Sequence, residues 1–180
     1  MKALKKILFG IVGIIVLLLI IALFVKKDYA VQREIVVNKP KQQVFDYIKY
    51  LKNQNDYSKW GGMDPNMKKE FTGTDGTVGF VSAWDSENDD VGKGEQEIKK
   101  IEEGNRIDYE LRFIKPFKSN SDAYMVTEST SENTTKVTWG FSGKWDYPMN
   151  IMGLFMDMDK AVGSDFQTGL ENLKRIMEKS

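Results

Sequence analysis

An unbroken apolar run near the N-terminus constrains this chain more than any other feature. Residues 7–25 read ILFGIVGIIVLLLIIALFV, nineteen residues without a charge. At about 1.5 Å of rise per residue, a helix of this length matches the roughly 30 Å hydrocarbon core of a bilayer. The run is flanked on both sides by lysines that can reach lipid head groups: Lys2, Lys5, Lys6, Lys26 and Lys27. We therefore predict one transmembrane helix that contacts the bilayer through residues 7–25.

The residues that follow the run distinguish an anchor from a secretory signal peptide. A signal peptide has a shorter apolar region, and small residues at its cleavage site follow that region. Here Phe24, Val25 and two lysines come next. We expect residues 1–27 to be an uncleaved membrane anchor, and a cleaved signal peptide or a buried core helix are the alternatives.

The basic residues on the two sides of the apolar run favour opposite membrane orientations. Three lysines precede it, Lys26, Lys27 and Arg33 follow it, and adding Lys39 and Lys41 favours a cytoplasmic domain. However, charges inside a folded domain are poor topology signals, and export of a short tail with three lysines would be unfavourable. We expect a single-pass cell-membrane protein whose domain is extracytoplasmic.

The composition of residues 28–180 indicates one acidic domain. About 150 residues suffice for one core, and no repeat, low-complexity tract or linker divides them. Five of the 26 basic residues lie in the first 27 positions, so this part carries 21 basic against 26 acidic residues, a net charge of −5. Because nucleic-acid affinity comes mainly from basic clusters, no nucleic-acid partner is expected. The sequence names no protein partner.

Periodicity in this region predicts an α+β fold. Alternation is clearest where Ile107, Tyr109, Leu111 and Phe113 are interleaved with charged residues. Two helices are expected, one after Pro40 and a long one over residues 157–178, whose apolar side chains recur every three or four positions. Seven segments are typical of strands: 29–37, 68–72, 78–84, 94–102, 106–115, 122–131 and 135–145. Short turns between the last six favour a curved antiparallel sheet wrapped around the C-terminal helix.

Several motifs in this order resemble the START-like (SRPBCC) superfamily, in particular its polyketide cyclase/dehydrase and lipid-transport branch. They are NKPKQQVFDYI after the first strand, Trp60 in the turn that follows, GTDGTVGFVSAW, VGKGEQEI, RIDYELRFIKPF, TKVTWGF, and the stretch from Asp157 through GLENLK. The resemblance covers residues 30–178 and implies the helix-grip fold. It also implies a cavity for a hydrophobic molecule between the sheet and the C-terminal helix, whereas the fold alone does not separate binding from catalysis.

The residue types available for chemistry are few. The sequence contains no histidine and no cysteine, which excludes histidine-based triads, cysteine nucleophiles and the usual zinc sites. Tyr109 and Tyr124 could reach a cavity and polarise a carbonyl, although a buried structural tyrosine is commoner. The run DSENDD (85–90) fails as an EF-hand loop, because Asp90 stands where glycine is required and Gln96 where a bidentate glutamate belongs. No metal or cofactor is expected.

Large apolar residues on the inward parity of the strands, and a methionine-rich segment before the last helix, define the candidate ligand site. Gly163 and Gly169 lie beside the apolar stripe of that helix and should leave space near the sheet. Methionines adapt to varied apolar partners, so residues 149–159 are a candidate opening of the pocket or a membrane-facing patch, and plain core packing is an alternative. The predicted ligand-binding residues are Phe80, Trp84, Tyr109, Leu111, Phe113, Trp139, Phe141, Met152, Phe155, Met158, Val162 and Phe166.

These observations predict that residues 28–180 form a START-like domain that binds a hydrophobic small molecule, such as a lipid, without a chemical step. Transport or sensing would use the same binding site. Two alternatives remain open: a cyclase- or hydrolase-like enzyme that uses tyrosine, aspartate or glutamate, and a protein-interaction module with a closed cavity.

Overall fold

The computed structural model describes residues 2–179, which begin with the apolar helix α1 (Lys2–Ala22). Residues Ala3–Ala22 are long and apolar enough to cross a membrane, as a signal sequence near an N-terminus also would be. Nearly all of α1 is exposed, whereas Ala22 is fully buried against the rest of the chain. The helix ends three residues before the apolar run does, because Leu23 and Phe24 turn the chain toward the first strand.

Seven strands form one antiparallel sheet, as the sequence predicts. They are β1 (Asp28–Val37), β2 (Lys68–Thr72), β3 (Val81–Asp85), β4 (Lys93–Glu102), β5 (Arg106–Lys115), β6 (Ser119–Ser131) and β7 (Thr134–Lys144). Their order across the sheet is β1-β7-β6-β5-β4-β3-β2. Strands β2 to β7 therefore follow one another as hairpins, and β1 adds to β7 at the edge. The α+β class and the helix-grip architecture are confirmed.

Helices cover one face of the sheet. Short helices α2 (Lys41–Ile48), α3 (Gln54–Tyr57) and α4 (Lys59–Met63) follow β1, and the long helix α5 (Met158–Lys179) closes the chain. Helix α5 buries Phe166, Leu170 and Leu173, which recur at steps of three and four on the side that faces β1 and β7. A 3₁₀ segment, Met149–Leu154, connects β7 to α5.

One end of the sheet lies next to α1, and we call it the proximal end. Asp28 at the start of β1 pairs with Lys144 at the end of β7. The β5–β6 hairpin turns at the same end, because Phe113 pairs with Ser119, and so does the β3–β4 turn. The proximal end therefore holds the start of β1, the 3₁₀ segment, and both turns.

Candidate functional site

The half of the concave face farther from α1 is a packed core. Trp139 on β7 stacks on Phe166 of α5, with ring centroids 4.6 Å apart and an interplanar angle of 9°. Tyr57 of α3 meets Trp139 edge to face at 5.7 Å and donates its hydroxyl to the sulfur of Met125 at 3.3 Å. Phe80 and Tyr109, two more predicted site residues, are also buried here. These aromatic side chains fill the volume between the sheet and the helices.

The expectation that Gly163 and Gly169 leave space beside the sheet is wrong. A Cβ atom added at Gly169 would lie 2.8 Å from Cζ3 of Trp139, and one at Gly163 would lie 2.5 Å from the guanidinium carbon of Arg33. Both glycines permit close approach of side chains from the sheet, so the missing side-chain volume is already occupied. Arg33 also forms two 2.8 Å hydrogen bonds to the carboxylate of Asp159, which fixes the start of α5 against β1.

Toward the proximal end the concave face becomes accessible. Along β5, the inward-facing residues Ile107 and Tyr109 are buried, whereas Leu111 and Phe113 are only half-buried. Trp84 on β3 and Val162 on α5 are half-buried as well. Side chains whose parity directs them into the core but which stay accessible to solvent mark an uncovered apolar surface. This open half is the part of the predicted site at which a ligand could contact the protein.

A row of aromatic rings crosses the open half of the concave face, from the edge strand β1 to strand β3. Trp145 contacts Tyr29 at 4.8 Å and Tyr29 contacts Phe141 at 5.8 Å between ring centroids. The row continues from Phe141 to Phe113 at 6.4 Å and from Phe113 to Trp84 at 6.0 Å, both edge to face. Aromatic rings present large rigid apolar surfaces. The row therefore offers a continuous apolar platform across the sheet.

A groove at the proximal end leads to this platform. Its volume is about 920 Å³, within the size range of small-molecule sites. One wall comes from the end of α1 and the turn after it, with Ile21, Phe24 and Val25. The other wall includes Tyr29 and Trp145 from the aromatic row, and its rim is formed by residues 153–159. Thus the end of the apolar helix and the concave face share one groove.

The twelve predicted site residues divide into three groups in the structure. Five are core: Phe80, Tyr109, Trp139, Phe141 and Phe166. Five are half-buried on the accessible half: Trp84, Leu111, Phe113, Met158 and Val162. Met152 and Phe155 are exposed, and Phe155, which is 79% exposed, lies in the rim of the groove. The side chains of the core group are covered by their neighbours, and one of them, Phe141, is also the buried middle member of the aromatic row. The second and third groups are accessible to solvent.

Sequence reasoning missed two residues of the aromatic row. Tyr29 lies at the start of β1, and Trp145 directly follows β7, where its backbone N–H donates to the carbonyl of Lys27 at 3.0 Å. Trp145 continues the odd-numbered inward parity of Trp139 and Phe141, and this signal could have identified it. The two rings come together because β1 pairs with β7, a long-range contact that neither segment specifies alone.

The candidate catalytic tyrosines are poorly placed for chemistry. Tyr124 lies on the convex face, where its hydroxyl donates to Oε1 of Gln32 at 2.9 Å, so the expectation that it could reach a cavity is wrong. The hydroxyl of Tyr109 is buried and has no hydrogen-bond partner among the described residues. Burial raises its pKa, so that it remains protonated and is a weak proton donor. Neither tyrosine resembles an activated acid or base.

A second, polar groove of about 810 Å³ lies beside the β3–β4 turn. It is lined by charges of both signs, including Asp64, Asp85, Lys68 and Lys115. Asp85 is already paired with Lys93 at 2.6 Å, and Asp64 accepts a hydrogen bond from Ser86 at 2.5 Å. Within residues 2–179 no group of three or more acidic side chains is arranged to hold a metal ion. The acidic run is a solvated turn, as predicted.

Comparison with known families gives one match that covers most of the chain. Residues 29–178 match the family model described as polyketide cyclase / dehydrase and lipid transport. No curated protein matches the sequence.

Solved structures share the fold at low sequence identity. A protein from Nitrosospira multiformis is 18% identical with a TM-score of 0.58, over 83% of this chain and 96% of that one. Ara h 8.0201 is 14% identical with a TM-score of 0.59, over 85% and 99%. Norcoclaurine synthase from Thalictrum flavum, in complex with dopamine and hydroxybenzaldehyde, is 8% identical with a TM-score of 0.62, over 89% and 92%. What this chain shares with these three structures is the Bet v1-like fold.

Proposed function

The chain belongs to the polyketide cyclase/dehydrase and lipid transport family, and from that premise we propose that it binds a hydrophobic small molecule, such as a lipid, on the open half of its concave face. Residues 28–180 are the binding domain and residues 1–27 anchor it to a membrane. The observation that carries the proposal is the incomplete burial of inward-facing Leu111, Phe113 and Trp84. A domain that only needed a packed core would cover these side chains, because covering apolar surface stabilises it by about 25 cal/mol per Å².

The bilayer next to the domain is the source of the ligand in this proposal. The groove that leads to the aromatic row has Ile21, Phe24 and Val25 as one wall, and these residues continue the apolar face of α1. Only residues 23–27 separate α1 from β1. An apolar molecule leaving the bilayer beside α1 therefore meets the groove at a high effective concentration. This arrangement favours exchange with the membrane over capture from water.

Binding without a chemical step agrees best with the side chains at the site. The platform is aromatic and aliphatic, and the buried hydroxyl of Tyr109 carries a raised pKa. The norcoclaurine synthase structure holds two small aromatic molecules, so the shared fold accommodates such ligands and also supports enzymes. Family and fold are therefore compatible with both activities, and the residues of this chain favour binding.

Native mass spectrometry of the full-length protein, purified from its own membranes, tests the proposal. We expect an apolar molecule to remain bound to the wild-type chain and to be lost from Leu111→Trp, which fills the open half. Ile114→Trp is the matched control, because Ile114 lies on the same strand with the outward parity and is exposed. Retention of the same molecule by Leu111→Trp, or an empty wild-type protein, would contradict the proposal.

A further inference from the structure

The last turn of α1 is held by side chains from the opposite end of the sequence. Asn150 in the 3₁₀ segment is fully buried and donates its side-chain amide to the carbonyls of Ala22 at 2.6 Å and Val25 at 2.9 Å. The hydroxyl of Tyr147 lies 3.4 Å from the carbonyl of Leu19 and donates to it. These bonds join α1 to the segment between β7 and α5, across more than a hundred residues of sequence.

Together these bonds complete the hydrogen bonding at the end of the helix. An α-helix leaves its last four carbonyls without a partner in the helix. The carbonyls of Ile20 and Ile21 accept from the backbone N–H groups of Leu23 and Phe24, at 3.1 and 3.0 Å. Leu19 and Ala22 are the remaining two, and Tyr147 and Asn150 supply their donors. Water would supply such donors to an exposed helix end, whereas a hydrocarbon environment would not.

The length of α1 sets the depth at which these contacts occur. The twenty residues Ala3–Ala22 extend about 30 Å, so a helix that spans the hydrocarbon core ends at its boundary. Leu19 lies three residues earlier, about 4.5 Å inside that boundary. Tyr147, which contacts Leu19, then lies at the level where tyrosine and tryptophan rings are enriched in membrane proteins. The residues that follow Tyr147 in the sequence would then also lie at the membrane interface.

We propose that the 3₁₀ segment and the two residues after it (149–156, the docking segment) lie in the membrane interface beside α1, and that Asn150 and Tyr147 hold them there. The inference depends on the membrane anchoring in the proposed function, but it does not require a bound ligand. The occupant of this surface is the same bilayer that α1 spans. Through residues 153–156 the docking segment thereby forms part of the rim of the groove at the membrane interface.

The exposed side chains of the docking segment have the chemistry of such a surface. Exposed apolar residues are concentrated there: Met149, Met152, Leu154, Phe155 and Met156. A contiguous apolar surface of this kind is unfavourable in water and favourable in the acyl boundary of a bilayer. Phe117, at the tip of the β5–β6 hairpin, is 74% exposed at the same end of the sheet.

Cations near this surface match anionic lipid head groups. Lys26 and Lys27 follow α1 directly, and Lys118 follows Phe117 in the hairpin. None of these three lysines has a carboxylate within 4.0 Å in residues 2–179. Juxtamembrane lysines gain about 1 kcal/mol each from an anionic surface. A bilayer accounts for the apolar residues, the lysines and the attachment to α1 together, which a soluble partner would not.

Depth-dependent fluorescence quenching tests the proposal on the full-length chain. Because the sequence contains no cysteine, Phe155→Cys introduces a single labelling site at an exposed position. Glu132→Cys is the matched control, since Glu132 is exposed in the β6–β7 turn at the opposite end of the sheet. Each variant is labelled with an environment-sensitive dye and reconstituted into phosphatidylcholine/phosphatidylglycerol vesicles. Quenching is measured with aqueous iodide and with lipids spin-labelled near the head group.

We expect the dye at residue 155 to emit at shorter wavelength, to be quenched by spin-labelled lipid and to be protected from iodide, with the reverse at residue 132. Adding Asn150→Ala to Phe155→Cys should reduce the lipid quenching, because the two Asn150 bonds that hold the segment to α1 are lost. Quenching by iodide at residue 155 would contradict the proposal. Protection from both quenchers would also contradict it, because a protein partner or a second copy would then cover the segment. Ligand retention, measured separately, tests the proposed function independently.

Discussion

Trp139 lies flat against Phe166, with 4.6 Å between the ring centroids, and this contact joins the last strand to the C-terminal helix. Trp139 is 3% exposed, and Phe141 and Tyr57 add edge-to-face contacts to the same pair. The stack lies where a cavity was expected and fills it. Consequently it divides the concave face into a packed core and an accessible proximal half.

Trp139→Ala should therefore behave as a substitution in a packed core. We expect a loss of about 3 to 5 kcal/mol in the free energy of unfolding, because a large ring is removed and its neighbours cannot close the cavity completely. Chemical denaturation of the full-length protein in detergent, followed by circular dichroism, measures this loss. A loss well below that range would show that the ring contacts mainly solvent or ligand.

Phe113→Ala should reduce ligand binding more than it reduces stability. Phe113 is half-buried and contacts Trp84 and Phe141 only through ring edges, so fewer protein contacts are lost. We expect a smaller change in the free energy of unfolding than for Trp139→Ala, together with a clear loss of binding of a fluorescent fatty acid. Full-size destabilisation with unchanged binding would show that Phe113 is simple core, and the site would have to be placed elsewhere.

Gly169→Ala should destabilise the fold through crowding against Trp139. The new Cβ would lie 2.8 Å from Cζ3 of Trp139 and 3.5 Å from the backbone oxygen of Tyr57. Overpacking of this kind costs about 1 to 3 kcal/mol, which exceeds the gain of up to about 1 kcal/mol from replacing a helical glycine by alanine. Gly62→Ala is the control, because a Cβ there meets no atom within 4 Å. Equal thermal midpoints for both variants would contradict this account.

Arg112 on β5 should make stability depend on pH. On the convex face it donates to Glu95, Glu97 and Glu110 at 2.5 to 2.7 Å, and these bonds lower the pKa of the Glu97 and Glu110 carboxyl groups. Their contribution is present above the unfolded value of about 4.3 and is lost as pH falls through the lowered folded values. Arg112→Met should therefore destabilise most at pH 7 and progressively less below about pH 4.

Denaturant midpoints of Arg112→Met and the wild-type protein, measured at pH 7 and below about pH 4, test this dependence. Arg175→Met on α5 serves as the control, because Arg175 is exposed and its side chain bonds to the neutral amide of Asn172. We expect Arg175→Met to change the denaturant midpoint little both at pH 7 and below about pH 4. An effect of Arg112→Met that does not change with pH would show that the carboxylates do not depend on the guanidinium.

Local sequence patterns were sufficient to predict the architecture. All seven strands lie where alternation and turn residues predict them, with β2 (Lys68–Thr72) and β5 (Arg106–Lys115) at the predicted bounds. The apolar spacing of α5 identifies its buried face for the same reason, since period and burial are coupled along a single element. The short helices α3 and α4 lie within a polar and turn-rich stretch that has no such pattern, and the 3₁₀ segment Met149–Leu154 was not predicted either.

The site was harder to predict because it depends on contacts between distant segments. Gly163 and Gly169 suggested open space, whereas side chains from β1 and β7 fill it. Asn150 resembles any turn asparagine in the sequence, and its role arises only because the 3₁₀ segment meets the end of α1. Ligand binding by the twelve predicted residues stays a prediction.

The rate at which a lipid enters the site from its own membrane tests the central claim most directly. Full-length protein in vesicles that contain a fluorescent fatty acid is compared with the same chain carrying a long Gly/Ser insert after Lys27 together with Asn150→Ala and Tyr147→Phe, which removes the side-chain bonds to α1 and releases the domain from it. Energy transfer from tryptophan, with Trp145 and Trp84 in the aromatic row, reports entry of the fatty acid. We predict faster entry for the unmodified chain, because the groove beside α1 stays at the membrane. Equal rates for the two chains would contradict exchange through that groove.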